Sequence, residues 1–292
     1  MNNNNRLYTL NNFFTRSTFK NSYSKDNSYY EKIANEYVDD PYGKTNKEIY
    51  KQVYYTLDKT YRNEYFYKNT LLNKLLLGVH STNTTVALTE IPISNSIADF
   101  VLINGKGVVY EIKTELDTTE RLSNQIMDYY KAFDHVAVVS CWNNLNAIKK
   151  IVNELNLPIG IYILQDNCCL KTIRKPERYA DLIDKEVLFG ILRKKEFEKI
   201  LKKFYGYLPE VNDFVYYSYC KQLFSDIPLQ DVYPQFLKIL KDRNLNKKNF
   251  LNLPYELRFL GYFMDITNDE YATIDKFLNK TFGGERWNIT LI

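Results

Sequence analysis

Ile97-Ala98-Asp99-Phe100-Val101-Leu102-Ile103, then Asn104-Gly105-Lys106-Gly107, then Val108-Val109-Tyr110-Glu111-Ile112-Lys113 is the stretch that decides the reading of this chain. Two apolar runs flank an Asn-Gly turn of the kind that closes hairpins, which predicts a pair of antiparallel strands. Set into those strands are two acids and a lysine. Charged groups are rarely buried unless paired or bound to a metal, so the trio needs a physical reason. Side chains alternate along a strand, so Glu111 and Lys113 share a face with Val109, while Tyr110 and Ile112 point the other way. A tight hairpin sets the start of its first strand beside the end of its second. Asp99 and Glu111 are therefore expected to meet at one edge of a sheet.

Two carboxylates with a main-chain carbonyl and waters suit Mg²⁺, a hard ion that prefers oxygen and keeps part of its water shell. Such an ion polarises a phosphate oxygen and lowers the pKa of a bound water. Lys113 would orient that water or offset charge developing on phosphorus.

Outward from the hairpin, the pattern continues as alternating elements. Upstream, a helix is expected from about Asn63 to Leu77, with Leu71, Leu72, Leu75 and Leu76 as its apolar stripe. A first strand is expected over Thr85 to Ile91. Downstream come a helix from about Thr118 to Phe133, capped by Asp117 or Thr118, and a buried strand from Val136 to Ser140. A helix from Leu145 to Leu155, a strand from Ile159 to Leu164 and a short strand from Cys169 to Ile173 follow. Glu64 aligns with Leu71 and Leu75 on a helical wheel at about 100° per residue, as either a site acid or a helix-start acid favoured by the dipole. Glu90 reads equally as a further metal-shell acid or an exposed strand-end acid. Glu115 and Asp117 read as solvated or capping residues, and His135 as structural.

Asp99 with Glu111-Ile112-Lys113 resembles the motif of the PD-(D/E)XK nuclease superfamily, although Ala98 stands where that motif has its proline. Gln125-Ile126-Met127-Asp128-Tyr129 is similar to the Q-x-x-x-Y motif of its RecB-like branch. Positions i and i+4 share a helix face, so Gln125 and Tyr129 can both look toward one site. The alternative is an amphipathic helix turning Leu122, Ile126, Tyr129 and Phe133 inward, which accounts for Tyr129 better than for Gln125. The order helix, three strands, helix, strand also resembles the αβββαβ core of that superfamily, over about residues 60 to 175, and the chain is similar to an uncharacterised bacterial family assigned to it.

The resemblance implies an α/β fold of restriction-endonuclease type with a mixed central sheet. It implies a Mg²⁺-dependent nuclease, a phosphodiesterase acting on nucleic acid, with DNA the expected substrate and Mn²⁺ able to substitute. Asp99, Glu111 and Lys113 would be catalytic. Asp99 and Glu111 would hold the metal, with Glu64 and Glu90 as further candidate ligands. Gln125 and Tyr129 would position substrate. The rival is a non-catalytic module that uses the same fold to bind nucleic acid or a protein. A nucleotide-binding doubly wound domain ranks last, because no Gly-rich phosphate loop follows a strand.

Composition bounds these readings without choosing among them. The 292 residues can fill one core and a smaller second unit. A net charge of +4 permits nucleic-acid binding without demanding it. The 26 tyrosines read first as A/T-rich coding bias and second as base-stacking surface. Cys141, Cys168, Cys169 and Cys220 form no Cys-x-x-Cys pair, and with only His80 and His135 a structural zinc site is not expected. Cys168 and Cys169 read as buried thiols of an apolar strand. No apolar run approaches membrane-spanning length, and Met1 to Leu10 has no signal-peptide character, so a cytoplasmic location is expected.

Three regions are expected: a loosely ordered extension over 1–45, the nuclease-like domain over 46–175, and a helical C-terminal domain over 176–292 that could serve a protein partner. In the last, Arg193, Lys194, Lys199, Lys202 and Lys203 form a basic face, either phosphate-binding or merely solvated among Glu186, Glu196 and Glu198.

Overall fold

Six strands pair in sequence order to make one mixed sheet: β1 (Val86–Ile93), β2 (Ser96–Ile103), β3 (Gly107–Lys113), β4 (His135–Ser140), β5 (Gly160–Leu164) and β6 (Leu170–Arg174). In this computed structural model, which describes residues 9–24, 27–78, 82–243, 249–264 and 266–284, the first three strands are an antiparallel meander. β4 then joins β3 in parallel, β5 joins β4 in parallel, and β6 returns antiparallel. His80 lies outside the described residues.

The central hairpin forms as its turn residues require. Ile103 pairs with Gly107, and Asn104, Gly105 and Lys106 make the loop. Gly105 takes φ +70°, a region open to glycine at little cost. Every residue of β3 is buried, as expected of a strand covered on both faces.

Helices supply the cover on one face. α1 (Leu122–Tyr130) connects β3 to β4, and α2 (Leu145–Leu155) connects β4 to β5. Beyond β6 come α3 (Lys185–Ile191), α4 (Lys194–Tyr205), α5 (Asp213–Asp226) and α6 (Leu229–Asp242). Val101, Ile103 and Val109 of the sheet share one continuous core with Leu122, Ile126 and Tyr129 of α1 and with Leu188, Phe189, Phe224 and Phe236 further on.

The expected boundary near residue 175 is therefore corrected. Secondary structure changes character there, but the core does not. The chain divides instead into a unit of residues 76–246 and a unit that joins residues 1–75 to 247–292.

That second unit is helical and aromatic. Its helices are Arg16–Ser22, Ser28–Tyr37, Asn46–Thr60, Glu64–Leu71, Arg258–Phe263 and Asn268–Asn279. Phe13, Phe19, Tyr30 and Tyr50 are buried and pack ring against ring at 5.0–6.1 Å between ring centres. The expectation of a loosely ordered extension is thus overturned for the described part of 1–45. Large rings there bury enough apolar surface to fix two helices. Many of the tyrosines are core residues with satisfied hydroxyls. Tyr30 donates to Asn46 Oδ1 at 2.6 Å, and Tyr50 to Ser22 Oγ at 2.9 Å.

The adjacent cysteines also differ from expectation. Cys168 and Cys169 sit in the turn between β5 and β6, where Cys169 is exposed. Among the described residues, no helix is long and apolar enough to cross a membrane.

Candidate active site

Alternation along β3 turns Glu111 and Lys113 toward α1, and both are buried, at 1% and 7% exposure. Two buried charges are tolerable when each offsets the other and the remaining polar atoms find partners. Lys113 Nζ lies 2.9 Å from Glu111 Oε1 and donates to Gln125 Oε1 at 2.9 Å. The Gln125 amide returns a hydrogen bond to Glu111 Oε1 at 2.6 Å. One helical turn on, the Tyr129 hydroxyl stands 2.5 Å from Glu111 Oε2 and 2.9 Å from the Ile97 carbonyl. Glu111, Lys113, Gln125 and Tyr129 thus form one closed network. The end of β3 is fixed further by Ser140 Oγ, which donates to the Lys113 carbonyl at 2.5 Å.

Asp99 stands one step beyond the pairing of Phe100 with Tyr110, opposite Glu111. Its Oδ2 accepts the Ile112 N–H at 2.8 Å, which ties it to the strand that carries the other two charges. Burial, then the charges of Glu111 and Asp99, push the Tyr129 hydroxyl far above its ordinary pKa. It therefore remains a proton donor at any physiological pH.

Asp99 also lines an open cleft of about 650 Å³, with Ser96, Ile97, Arg121, Gln125, Asp128 and Lys131 among its walls. Asp128 is a site residue that the sequence reading passed over. It is buried, accepts from Ser96 Oγ at 2.8 Å, and pairs with Lys131 at 2.7 Å. Burial alone would raise its pKa; the bonds from Lys131 and Ser96 outweigh burial and lower it. The i, i+3 spacing of Asp128 and Lys131 was the available signal.

The other candidates have surroundings of their own. Glu64 opens the helix Glu64–Leu71 in the other unit, where its carboxylate, 55% exposed, pairs with Lys68 at 2.5 Å. Glu90 is exposed on β1, at φ +56°. Glu115 and Asp117 are exposed. Asp117 accepts from the Thr114 N–H and hydroxyl, both at 2.7 Å, and does not cap α1. α1 begins at Leu122 with Arg121 before it, and no side chain caps it.

Much of the basic face of α4 is engaged. Lys199 pairs with Asp242, Lys203 donates to Gln235, and Lys194 lies over the Tyr216 ring. Arg193 is the residue before α4, its N–H held by Glu196, and Lys202 is exposed.

Whether this donor set suits a metal can be judged from lone pairs. Among the described residues, no group of three or more His, Cys, Asp or Glu side chains gathers to hold one. A carboxylate offers about four acceptor sites. Glu111 uses three of them, on Lys113, Gln125 and Tyr129. One lone pair remains there, beside an Asp99 that faces the cleft. That set fits a cation held by one or two carboxylates and completed by water, as Mg²⁺ is. It does not fit an all-protein cage.

The fold and site define a mixed α/β protein with a buried Glu–Lys pair and a neighbouring aspartate at one end of its sheet. The family model described as Bacteriophage P4 protein cII matches residues 58–258, and the chain belongs to that family. A curated relative, Protein cII of Enterobacteria phage P4, is 27% identical over 110 residues. That match covers 37% of this chain and only 40% of the relative. No solved structure matches the chain.

Proposed function

We propose that this protein is a metal-dependent nuclease that hydrolyses phosphodiester bonds of nucleic acid, with DNA as substrate, on a restriction-endonuclease-like core. The observation that carries the reading is the buried Glu111–Lys113 pair at the end of β3 beside Asp99. An apolar core gains nothing from such a pair that hydrophobic residues of the same volume would not supply, so its presence points to chemistry. The meander β1–β3, the helix α1 and the parallel strand β4 follow the strand and helix order expected of that core.

Asp99 and Glu111 would hold Mg²⁺, which supplies Lewis acidity and an acidified water when bound. Lys113 would place positive charge beside the phosphate and offset charge that develops there. Gln125 holds both Glu111 and Lys113, and Tyr129 holds Glu111, so these two orient the charged pair as well as any substrate. Orientation of this kind is commonly worth about 10–100-fold in metal affinity or activity.

One observation favours a second reading. Lys113 is already engaged by Glu111 and Gln125, and no three-ligand metal cluster forms among the described residues. A non-catalytic nucleic-acid- or protein-binding module would leave the network undisturbed. Incubation of purified protein with linear, circular and single-stranded nucleic acid, in Mg²⁺, Mn²⁺ and EDTA, separates the two. Cleavage is expected in Mg²⁺ or Mn²⁺, none in EDTA, and none by Asp99→Asn. Cleavage that persists in EDTA or in Asp99→Asn would remove the nuclease assignment to this site.

A further inference from the structure

The cleft beside Asp99 carries four charged side chains, Asp99, Asp128, Arg121 and Lys131. Two of them offset each other, because Asp128 pairs with Lys131 at 2.7 Å. Arg121 is different. It is exposed on the cleft wall, and its guanidinium makes no hydrogen bond or ion pair among the described residues. Asn124, one helical turn on and also lining the cleft, has an amide equally without a partner among the described residues.

The backbone around Arg121 adds to the same sign. Arg121 immediately precedes α1, whose first turn contains no acidic residue and whose N-terminus no side chain caps. The positive end of a helix dipole thus lies beside Arg121, whose guanidinium carries five donors, and the Asn124 amide on the same cleft adds two. The planar fork of the guanidinium matches the geometry of a phosphate. On α4, by contrast, Lys199 and Lys203 already have partners in Asp242 and Gln235.

We propose that Arg121, with Asn124 and the first turn of α1, forms a subsite for a backbone phosphate of a nucleic-acid strand, next to the phosphate that reacts at Asp99. The proposal rests on the nuclease reading for its ligand, and it assigns the contact to α1 rather than to the basic face of α4. A phosphate contact carries no sequence information, so the subsite fixes where the strand lies and not which sequence is bound.

The test measures binding, not turnover. Fluorescence anisotropy would be recorded with fluorescein-labelled single- and double-stranded DNA of unrelated sequences, in Ca²⁺, across a salt series. Gels would verify that the DNA is intact. Arg121→Glu is expected to weaken every probe by about tenfold or more, and to lower the slope of log affinity against log salt by about one. Arg121→Lys keeps most of the affinity, and Lys202→Glu, an exposed change outside the cleft, leaves affinity and slope near wild type. Arg121 has no hydrogen-bond or ion-pair partner among the described residues, so Arg121→Glu should melt with the wild-type protein.

Unchanged affinity and slope in Arg121→Glu, an equal loss in Lys202→Glu, or no DNA binding by the wild type would overturn the subsite. Cleavage by the wild type in Mg²⁺ is scored separately. Cleavage with binding indifferent to Arg121 removes the subsite and keeps the nuclease. Binding that depends on Arg121 without cleavage keeps the subsite and removes the nuclease.

Discussion

Glu111 sets the terms for any mutagenesis of the site, because three donors converge on it inside the core. Glu111→Ala would strand the Lys113 ammonium with Gln125 as its remaining partner in the network, at a cost of about 3–5 kcal/mol. A loss of cleavage in that variant could reflect unfolding. Glu111→Gln keeps the shape and is the cleaner variant. It is expected to abolish cleavage while denaturant midpoints move far less than in Glu111→Ala; undiminished cleavage would exclude Glu111 from the chemistry. Tyr129→Phe removes the donor to Glu111 and leaves the Ile97 carbonyl without that bond, costing about 1–2 kcal/mol of stability. Its expected effect on function is a rise of about 10–100-fold in the divalent concentration needed for half-maximal cleavage. An unchanged metal requirement would reduce Tyr129 to a packing residue. The grouping of Glu111, Lys113, Gln125 and Tyr129 was legible because strand alternation and i, i+4 spacing are local rules. Ser96 with Asp128 was not, since that bond spans 32 positions and joins the start of β2 to a helix. For Glu64, the local pairing with Lys68 at i+4 was as readable as the apolar alignment that suggested a site acid.

Elements were legible where periodicity is strong and less so where tertiary contacts set the ends. Leu145–Leu155 matches its expected helix at both ends, and all six strands lie within two residues of expectation. α1 is shorter than the Thr118 to Phe133 expected, because Asp117 turns back to Thr114 and cannot cap it. The junction of sheet and later helices depends on Asp134, just before β4. Its carboxylate meets His135 Nδ1 at 2.8 Å and Arg178 Nε at 3.1 Å, and its N–H donates to the Tyr233 hydroxyl of α6 at 3.0 Å. Burial alone would raise the Asp134 pKa, but His135, Tyr233 and Arg178 outweigh it and hold the carboxyl below its ordinary range. A depressed folded pKa means that the unfolded chain takes up the proton first. The stabilisation is complete above the ordinary aspartate value of about 3.9 and is lost as pH falls below it. Asp134→Asn is expected to lower stability at neutral pH by about 1–3 kcal/mol and to flatten the fall in urea midpoint below about pH 4. An equally steep acid fall in the variant would assign acid lability to other carboxylates. Packing at the start of β3 is as demanding. A Cβ on Gly107 would lie 2.5 Å from Phe133 Cδ1 and 2.9 Å from Leu237 Cδ2. Gly107→Ala should cost about 1–3 kcal/mol by overpacking; an unshifted denaturant midpoint would show that the Phe133 ring and the Leu237 side chain yield freely.

At the scale of the whole chain, described residues from both ends of the sequence contribute to one unit, and no local signal announces it. The Pro176 region marks a change from strand to helix, which is visible in sequence. The sharing of a core between β1–β3 and α3–α6, and the joining of residues 9–75 to residues beyond 246, are long-range events without a period. Within the unit of 1–75 and 247–292, those joints are specific. The Asn46 amide donates to the Phe277 carbonyl at 2.8 Å, and its N–H to the Lys280 carbonyl at 2.9 Å. Tyr65 donates to the Glu256 carbonyl at 2.5 Å, Asn69 to the Tyr255 carbonyl at 3.1 Å, and Asn69 Oδ1 accepts the Phe259 N–H at 3.1 Å. Tyr30 meets Phe277 edge to face at 5.5 Å. Truncation after Asn246 removes every one of these partners at once. Each buried polar group left behind costs about 1–3 kcal/mol, and the sum rivals the 5–15 kcal/mol that typically holds a domain together. The truncated chain is therefore expected to lose amide protection over residues 28–71 in hydrogen-exchange mass spectrometry. β3 and β4, whose core lies within 76–246, should keep slow exchange. Protection retained over 28–60 would show that the N-terminal helices stand without the C-terminal segment; fast exchange in β3 as well would show that the two units unfold as one.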